Sequence, residues 1–318
     1  MVSSQASHSI SRESNIERRA QILRGDYSTT TWKEEVAHAN QTQPVCSLKA
    51  STNEEKAPVP VILMCLSRSG SSATWQIMGE LTGRATQANE LTGSRENQNR
   101  RFFSHMELHN HGNWAMRWLC QEQEKYPDAG MVGFQWKPYG GTFLSEPSLG
   151  ALKMIAVSHD PSIKVVRLRR NLLDKAISDY KHATYKNVPS HCKIGHEKCI
   201  SKHQEAMAGL RLPVDVLMKS LYKDYEEEAL VDKILVDLHV PHIQVSYEKL
   251  YFGEDIAQEW MRIFKFLGVG PTEGLKKEEI FDSMSLAPTG NAIHNETLQN
   301  YHEIRDALLN TIFENLLH

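Results

Sequence analysis

Several features that would direct an interpretation at once are absent from this 318-residue sequence. No stretch approaches the run of about 18 apolar residues that a membrane-spanning helix needs, and the polar N-terminus lacks the apolar core of a signal peptide. Basic and acidic side chains nearly balance, and the formal net charge of -3 excludes a global field that would attract nucleic acid. These absences predict a soluble chain with no membrane partner and no nucleic-acid partner.

Cysteine is also scarce. An odd, widely spaced set of cysteines in a large domain fits a reducing compartment better than a disulfide scaffold, so we predict a cytoplasmic location. An organelle transit peptide is the alternative, because the N-terminal segment contains serine and arginine, but Glu13 and Glu17 oppose it. The five cysteines are Cys46, Cys65, Cys120, Cys192 and Cys199.

Short apolar runs that alternate with helical patterns dominate what is present. Runs of strand length bounded by Gly, Pro or charge are typical of buried parallel strands, and the alternation predicts an α/β sheet with its ligand site at the carboxyl ends of the strands. The predicted strands are Val61–Leu66, Met131–Trp136, Lys164–Leu168 and His242–Ser246, and the predicted helices are Ala73–Leu81, Leu172–Tyr185, Val214–Leu238 and Ile256–Leu267.

The first part of the chain differs from the rest in composition. Residues 1–58 are rich in Ser, Thr, Gln, Asn and charge, and the sequence Pro-Val-Pro at 58–60 marks the passage to the next segment. This composition predicts an extension that is partly disordered or forms short helices, joined by a linker to one domain at 59–318.

The loop 67–72 joins the first predicted strand to the first predicted helix and reads Ser-Arg-Ser-Gly-Ser-Ser. Such a passage aims backbone N–H groups and the positive end of the helix dipole at one point, which suits a phosphate. The commonest phosphate loop, G-x-x-x-x-G-K-[ST], is not present, because its first glycine and its lysine are missing. Arg68 instead offers a guanidinium that matches phosphate oxygens bidentately and stays charged, so no metal is required for charge neutralisation.

A second basic segment follows later in the chain. Residues 164–170 read Lys-Val-Val-Arg-Leu-Arg-Arg, and Ser178 lies eight residues after Arg170. In this order the two segments resemble the 5′-phosphosulfate loop and the 3′-phosphate site of sulfotransferases that use 3′-phosphoadenosine 5′-phosphosulfate (PAPS), most closely the bacterial and carbohydrate-type branches. The resemblance covers 59–318, with weaker similarities at 245–250, 266–269 and 289–301. It implies a P-loop NTPase-like three-layer α/β fold with a central, mainly parallel sheet.

The resemblance also implies which residues bind the donor, although it leaves open whether Arg169 or Arg170 meets the 3′-phosphate. It assigns Arg68, Ser69, Gly70, Ser71 and Ser72 to the 5′-phosphosulfate, and Arg170 and Ser178 to the 3′-phosphate. Because Ser178 lies about two turns into the predicted helix, its convergence with Arg170 requires the intervening segment to begin as a loop.

In-line sulfuryl transfer needs a group that stabilises the leaving oxygen and a base that accepts the proton of the acceptor. We expect Arg68 to serve the leaving oxygen and Glu90 to be the base, because the resembled branches place a Glu after the first helix. Other branches use a histidine. The alternatives for the base are therefore Glu80, Glu96, His105, His109 and His111.

The segment 190–203 contains two cysteines and three histidines and invites three interpretations. Cysteine and histidine are zinc ligands, but the spacing does not match the usual knuckles. A disulfide between Cys192 and Cys199 is the second interpretation, and a loop that contacts the acceptor without either feature is the third. Its lysines and histidines would suit an anionic acceptor.

The predicted function is a PAPS-dependent sulfotransferase that uses PAPS as co-substrate and needs no metal. The acceptor is expected to be a small molecule or a carbohydrate, and a homo-oligomer is possible. The alternatives are a P-loop kinase that uses ATP, which the missing Gly-Lys-[Ser/Thr] opposes, and a sulfotransferase-like module that binds without turnover.

Overall fold

The computed structural model describes residues 48–49, 57–83, 112–137, 163–185, 187–189, 191–237, 239–287, 294 and 298–317. One parallel sheet is formed by β1 (Val59–Cys65), β2 (Met131–Trp136), β3 (Lys164–Arg169) and β4 (His242–Ser246), in the spatial order β2-β1-β3-β4. The helices are α1 (Ser71–Leu81), α2 (Gly112–Lys125), α3 (Leu172–Thr184), α4 (Glu197–Ala208), α5 (Val214–Asp237), α6 (Tyr247–Tyr251), α7 (Ile256–Leu267), α8 (Lys277–Asp282) and α9 (Tyr301–Leu308), followed by a 3-10 turn at Glu314–Leu317.

One face of the sheet packs against α1 and α7. Val61, Leu63 and Cys65 are alternate residues of β1, and they share a buried cluster with Trp75 of α1 and Trp260 of α7. Successive side chains of a strand point to opposite faces, so this alternation assigns both helices to one side of the sheet. Every residue of β1 is buried, which requires a second layer on the other side.

The other face packs against α5 and α2. Arg167 alternates with the β3 residues of the first cluster, and its Nε donates to Asp232 Oδ1 at 3.2 Å while its Nη2 donates to Glu228 of the same helix. The ring of Trp118 in α2 lies edge-on to Phe134 in β2, with 5.6 Å between the centroids. Helices therefore cover both faces, and the predicted three-layer α/β fold with a parallel sheet is confirmed.

A second apolar cluster fixes α3, the helix that carries Ser178. Leu173 and Ile177 of α3 pack with Leu221 of α5, Ile304 of α9 and Phe313. Because three helices meet there, the position of α3 beside β3 is determined by burial of its apolar side.

The predicted elements occupy nearly the predicted residues. β2, β4 and α7 have the predicted bounds, whereas β1 begins at Val59, two residues early, since Val59 and Pro60 pair with Met131 and Val132 of β2. The boundary between extension and domain stays a prediction, because most of residues 1–58 lie outside the described ranges. Among the helices that the structure describes, none combines the length and the apolar character needed to cross a membrane.

Candidate functional site

The loop Ser67–Ser72, which we name the anion loop, lies at the carboxyl end of β1 and leads into α1. Gly70 is the N-cap of α1 with a left-handed φ of 80°, and a Cβ at this position would lie 2.3 Å from the ring of Tyr247. Only glycine fits there. Arg68 also has a positive φ, 60°, which is uncommon for a residue with a side chain. Since Gly70 supplies no side-chain cap, the N–H groups of the first turn of α1 can serve an anion.

The second basic segment meets the anion loop through two hydrogen bonds. Arg68 Nε donates to Ser178 Oγ at 3.2 Å, across 110 residues of sequence. Arg170 Nη1 donates to the carbonyl oxygen of Arg68 at 2.7 Å, and its guanidinium lies 4.7 Å from the ring centroid of Tyr247. The two segments singled out in the sequence therefore converge in space.

The two neighbouring arginines at the end of β3 point to different surroundings. Arg169 Nε donates to Glu228 Oε2 at 3.0 Å, and Arg169 Nη1 lies 3.4 Å from Asp232 Oδ2. Arg170 points to the pocket instead, and its Nε is buried without a hydrogen-bond partner. Adjacent residues of a strand face opposite sides, so the pleat of β3 separates the pair. Arg170 is the arginine that lies at the candidate site.

Asn171 alone connects Arg170 to α3. Its side-chain oxygen accepts from Leu173 N at 2.9 Å, which caps the helix, and its own N–H donates to Glu248 Oε1 at 2.8 Å. The loop that the sequence required between Arg170 and the helix is therefore a single capping residue, and Ser178 lies in the second turn of α3.

One pocket contains most of the predicted donor-binding residues. Its lining comprises Ser67, Arg68, Gly70, Ser71, Ser72, Ala73, Lys137, Arg170, Ser178, His191, Tyr247, Tyr251, Met284, Leu286 and Ala287. Of the predicted set, Ser69 is placed apart, because it is buried, its Oγ has no hydrogen-bond partner, and it does not line the pocket. The side chain of Ser69 therefore does not face this pocket.

Sequence reasoning missed Lys137 in this pocket, whereas His191 and Tyr247 lie in segments that the sequence analysis had singled out, 190–203 and 245–250. Lys137 directly follows β2, whose carboxyl end lies beside that of β1 in the parallel sheet. A charged residue immediately after a predicted strand was a usable signal for it. Tyr247 packs against Gly70 and Arg170, and burial raises the pKa of its hydroxyl, which therefore stays protonated at neutral pH.

The predicted base cannot be assigned a position. Glu90 and the alternatives Glu96, His105, His109 and His111 lie outside the described residues. Glu80, the remaining alternative, is exposed on α1 and does not line the pocket. The choice of base stays a prediction.

The segment 191–199 is closed by a disulfide between Cys192 and Cys199. Their sulfurs lie within 4.8 Å of a ring nitrogen of His203, but the two sulfurs are bonded to each other. The disulfide interpretation is therefore the observed one. Cys120 is also disulfide-bonded, whereas the buried Cys65 keeps its thiol. The expectation of reduced cysteines is wrong for Cys120, whereas the pairing of Cys192 with Cys199 had been one of the open interpretations, which spacing along the chain could not decide.

Backbone hydrogen bonds attach the disulfide segment to the pocket wall. Ala287 N donates to the carbonyl oxygen of Cys192 at 2.8 Å, and Ile194 N donates to that of Ser285 at 3.0 Å. His191, directly before the disulfide, lines the pocket. The disulfide segment therefore forms one wall of the site.

No protein-family model and no curated protein matches the chain, but several solved structures are similar to it. One is a sulfotransferase. This sulfotransferase domain from the curacin biosynthetic pathway is 17% identical with a TM-score of 0.37, over 82% of this chain and 89% of that chain. Retinol dehydratase in complex with androsterone and inactive cofactor PAP is 15% identical with a TM-score of 0.39, over 82% and 84%. Retinol dehydratase with retinol and PAP is 13% identical with a TM-score of 0.38, over the same shares. Similarity at this level assigns no activity to this chain.

Proposed function

We propose that this protein is a PAPS-dependent sulfotransferase. It transfers a sulfuryl group in line from PAPS to a hydroxyl or amine of a small-molecule or sugar acceptor. The observation that carries the proposal is the contact of Arg68 with Ser178 and Arg170, at 3.2 and 2.7 Å, which unites two anion-binding segments in one pocket. A nucleotide with phosphates at both its 5′ and 3′ positions requires two such segments side by side.

Each segment has a role in this proposal. Arg68 and the N–H groups of Gly70, Ser71 and Ser72 stabilise the negative charge that develops on the 5′-phosphate as the donor S–O bond breaks. Arg170 and Ser178 bind the 3′-phosphate with one fixed positive charge and one hydroxyl. Because guanidinium groups remain charged at all relevant pH values, the site needs no metal to neutralise the nucleotide.

The transfer replaces the S–O bond of the donor by a new S–O or S–N bond to the acceptor. The acceptor oxygen or nitrogen attacks sulfur, the bond from sulfur to the 5′-phosphate oxygen breaks, and its electron pair stays on adenosine 3′,5′-bisphosphate. The proton of the acceptor passes to a base, for which we propose Glu90. Glu90→Gln is expected to lose most turnover while it keeps nucleotide affinity. Unchanged turnover would transfer this role to one of the histidines.

A kinase that uses ATP is the competing function, and a thermal-shift experiment separates the two. We expect adenosine 3′,5′-bisphosphate to stabilise the full chain without magnesium, because ligand binding to the native state raises its stability. Stabilisation by ATP with magnesium alone would overturn the sulfotransferase proposal. The present loop lacks the lysine that such a kinase places on the terminal phosphates.

A module that binds without turnover is the other alternative, and isotope transfer distinguishes it. Labelled PAPS is incubated with pools of phenols, alcohols, amines and sugars, and the products are separated by mass. We expect label in at least one acceptor. Nucleotide binding without transfer to any pool would favour the binding module.

The acceptor side of the pocket supports a small organic molecule. Tyr251, Met284, Leu286 and Ala287 supply apolar surface there, and His191 supplies a polar group at the rim. Pockets of this kind usually bind small molecules through apolar contact with a few polar groups. A carbohydrate stays the second candidate.

The cytoplasmic location and a possible homo-oligomer stay predictions from the sequence. The disulfide-bonded Cys120, Cys192 and Cys199 favour an oxidising compartment instead, since disulfides persist there and are rare in the cytosol. Alkylation of the protein from its native source, followed by mass measurement, decides between the two locations.

A further inference from the structure

A buried lysine lies one helical turn beyond Ser178. Lys181 belongs to the same face of α3, because residues three apart on a helix are neighbours. It is only 4% exposed. Ser178 lines the pocket and Lys181 does not.

The hydrogen bonds around Lys181 and His203 show which ring nitrogen of His203 carries the proton. Its Nζ lies 3.2 Å from Nδ1 of His203, and Nε2 of the same ring lies 2.7 Å from the carbonyl oxygen of Pro189. A carbonyl oxygen only accepts, so Nε2–H donates to Pro189 and Nδ1 accepts from the ammonium of Lys181. His203 thereby holds the lysine in place without neutralising its charge.

No carboxylate forms an ion pair with Lys181 in the part of the chain that the structure describes. On the same helix, Asp174 contacts His294 and Asp179 contacts Lys175. Asp224, from α5, also contacts Lys175. The nearby acidic groups are therefore committed to other cations.

The charged groups that act on Lys181 from the neighbouring segments are positive. Burial is the largest cause that lowers the pKa of Lys181 to about 8, followed by the charges of Arg68 and Arg170. His203, from α4, carries a pKa that is itself lowered, first by burial and then by Lys181. Lys137 and His191, which line the same pocket, add no negative charge. A buried cation in such surroundings is costly unless an anion compensates it.

We propose that Lys181, held by His203, is a further positioning residue of the donor site: its amine takes up a proton as the nucleotide binds, and the resulting ammonium compensates the charge of the bound nucleotide. This inference rests on the proposed function, because the anion is the phosphorylated donor or its product. The sequence motifs did not point to Lys181, and His203 was singled out only as a candidate zinc ligand or acceptor contact in the segment 190–203.

The sign of the pH dependence follows from the positions of the charges. In the free protein Lys181 loses its proton as the pH rises through about 8. A bound polyanion favours the ammonium and raises the pKa, so the complex keeps the proton to higher pH. Binding therefore takes up a proton above pH 8, and affinity falls as the pH rises through this range.

Calorimetry of adenosine 3′,5′-bisphosphate binding to the full chain tests the proposal at pH 7.0 and 8.5, in pairs of buffers with different ionisation enthalpies. We expect the wild type to take up a substantial fraction of a proton at pH 8.5. We expect Lys181→Met to take up none and to bind about tenfold more weakly at pH 7.0. Lys202→Met, which removes an exposed lysine beside His203, is the matched control and is expected to match the wild type.

A stability measurement separates this role from a structural one. Lys181→Met without nucleotide is expected to unfold at the same temperature as the wild type or higher, because it removes a buried charge. Equal affinity and equal proton uptake in the wild type and in Lys181→Met would overturn the inference. It would also be overturned if Lys181→Met bound the nucleotide more weakly and unfolded at a lower temperature while its proton uptake stayed that of the wild type. If the wild type does not bind the nucleotide, the proposed function fails, and the inference fails with it.

Discussion

The arginines near the carboxyl end of β3 fall into two groups, which differ in how their charge is compensated. Arg167 and Arg169 contact Glu228 and Asp232 of α5, so that group contains its own counterions. Arg170 belongs to the other group and forms no ion pair with a carboxylate among the described residues. The two groups are separated by one peptide bond, because Arg169 and Arg170 are neighbours.

This difference distinguishes arginines whose charge is balanced by carboxylates of the fold from an arginine that has no such partner among the described residues. Desolvation raises the pKa of Glu228, but the adjacent guanidinium groups of Arg167 and Arg169 favour its charged form. The charges of that network are therefore balanced by residues of the chain itself. Arg170, stacked on Tyr247 and bonded to the carbonyl oxygen of Arg68, is preorganised beside the anion loop, and an external anion would complete its charge balance.

Glu228→Ala breaks the compensated group and is expected to have the largest effect. It leaves Arg167 buried without its closest carboxylate, which costs about 3–5 kcal/mol of unfolding free energy. Urea unfolding measures the loss. Glu226→Ala, an exposed change on the same helix, is the control. A loss similar to that of the control would show that the network contributes little to the fold.

Arg68→Ala removes the guanidinium group of the anion loop. Transfer is expected to fall about 10²–10³-fold, because one preorganised positive donor at the breaking bond is removed, while the unfolding free energy changes little. Steady-state kinetics with labelled PAPS measure the rate. Near-wild-type kinetics would mean that the anion loop is not the donor site.

Arg170→Ala and Arg169→Ala form a matched pair that tests the comparison directly. Arg170→Ala is expected to weaken binding of adenosine 3′,5′-bisphosphate about 10–100-fold, the value of a lost charged hydrogen bond, with little loss of stability. Arg169→Ala is expected to lower stability and to preserve affinity. Titration calorimetry and urea unfolding of both variants measure the two effects. The opposite pattern would reverse the assignment of the two arginines.

The double change Cys192→Ser, Cys199→Ser has the smallest expected effect, on the wall of the pocket. A disulfide with a sequence separation of 7 closes a short loop, so its removal costs about 2 kcal/mol. Nucleotide affinity is expected to stay unchanged, while the KM for the acceptor rises. If the nucleotide affinity changed and the KM for the acceptor did not, the disulfide segment would be assigned to donor binding instead.

Much of the fold was predictable because its signals are local. The apolar runs of β2 and β4 and the stripe of α7 that contains Trp260, Ile263 and Phe264 define these elements over a few residues each. The anion loop was recognisable for the same reason, since a glycine and several hydroxyls between a strand and a helix are typical of a turn that binds an anion. The disulfide stayed one of three alternatives, because pairing depends on geometry that sequence spacing does not specify.

By itself, the sequence determined the alternation of strands and helices, the position of the anion loop, and the residues from which an anion site can be built. Only the tertiary structure placed Arg170 rather than Arg169 at the pocket, separated Ser69 from the pocket, and joined Lys181 to His203. These outcomes depend on which face of a strand or helix meets which neighbour. A side chain becomes part of a site through the contacts that distant segments bring to it, and the order of residues along the chain does not contain those contacts.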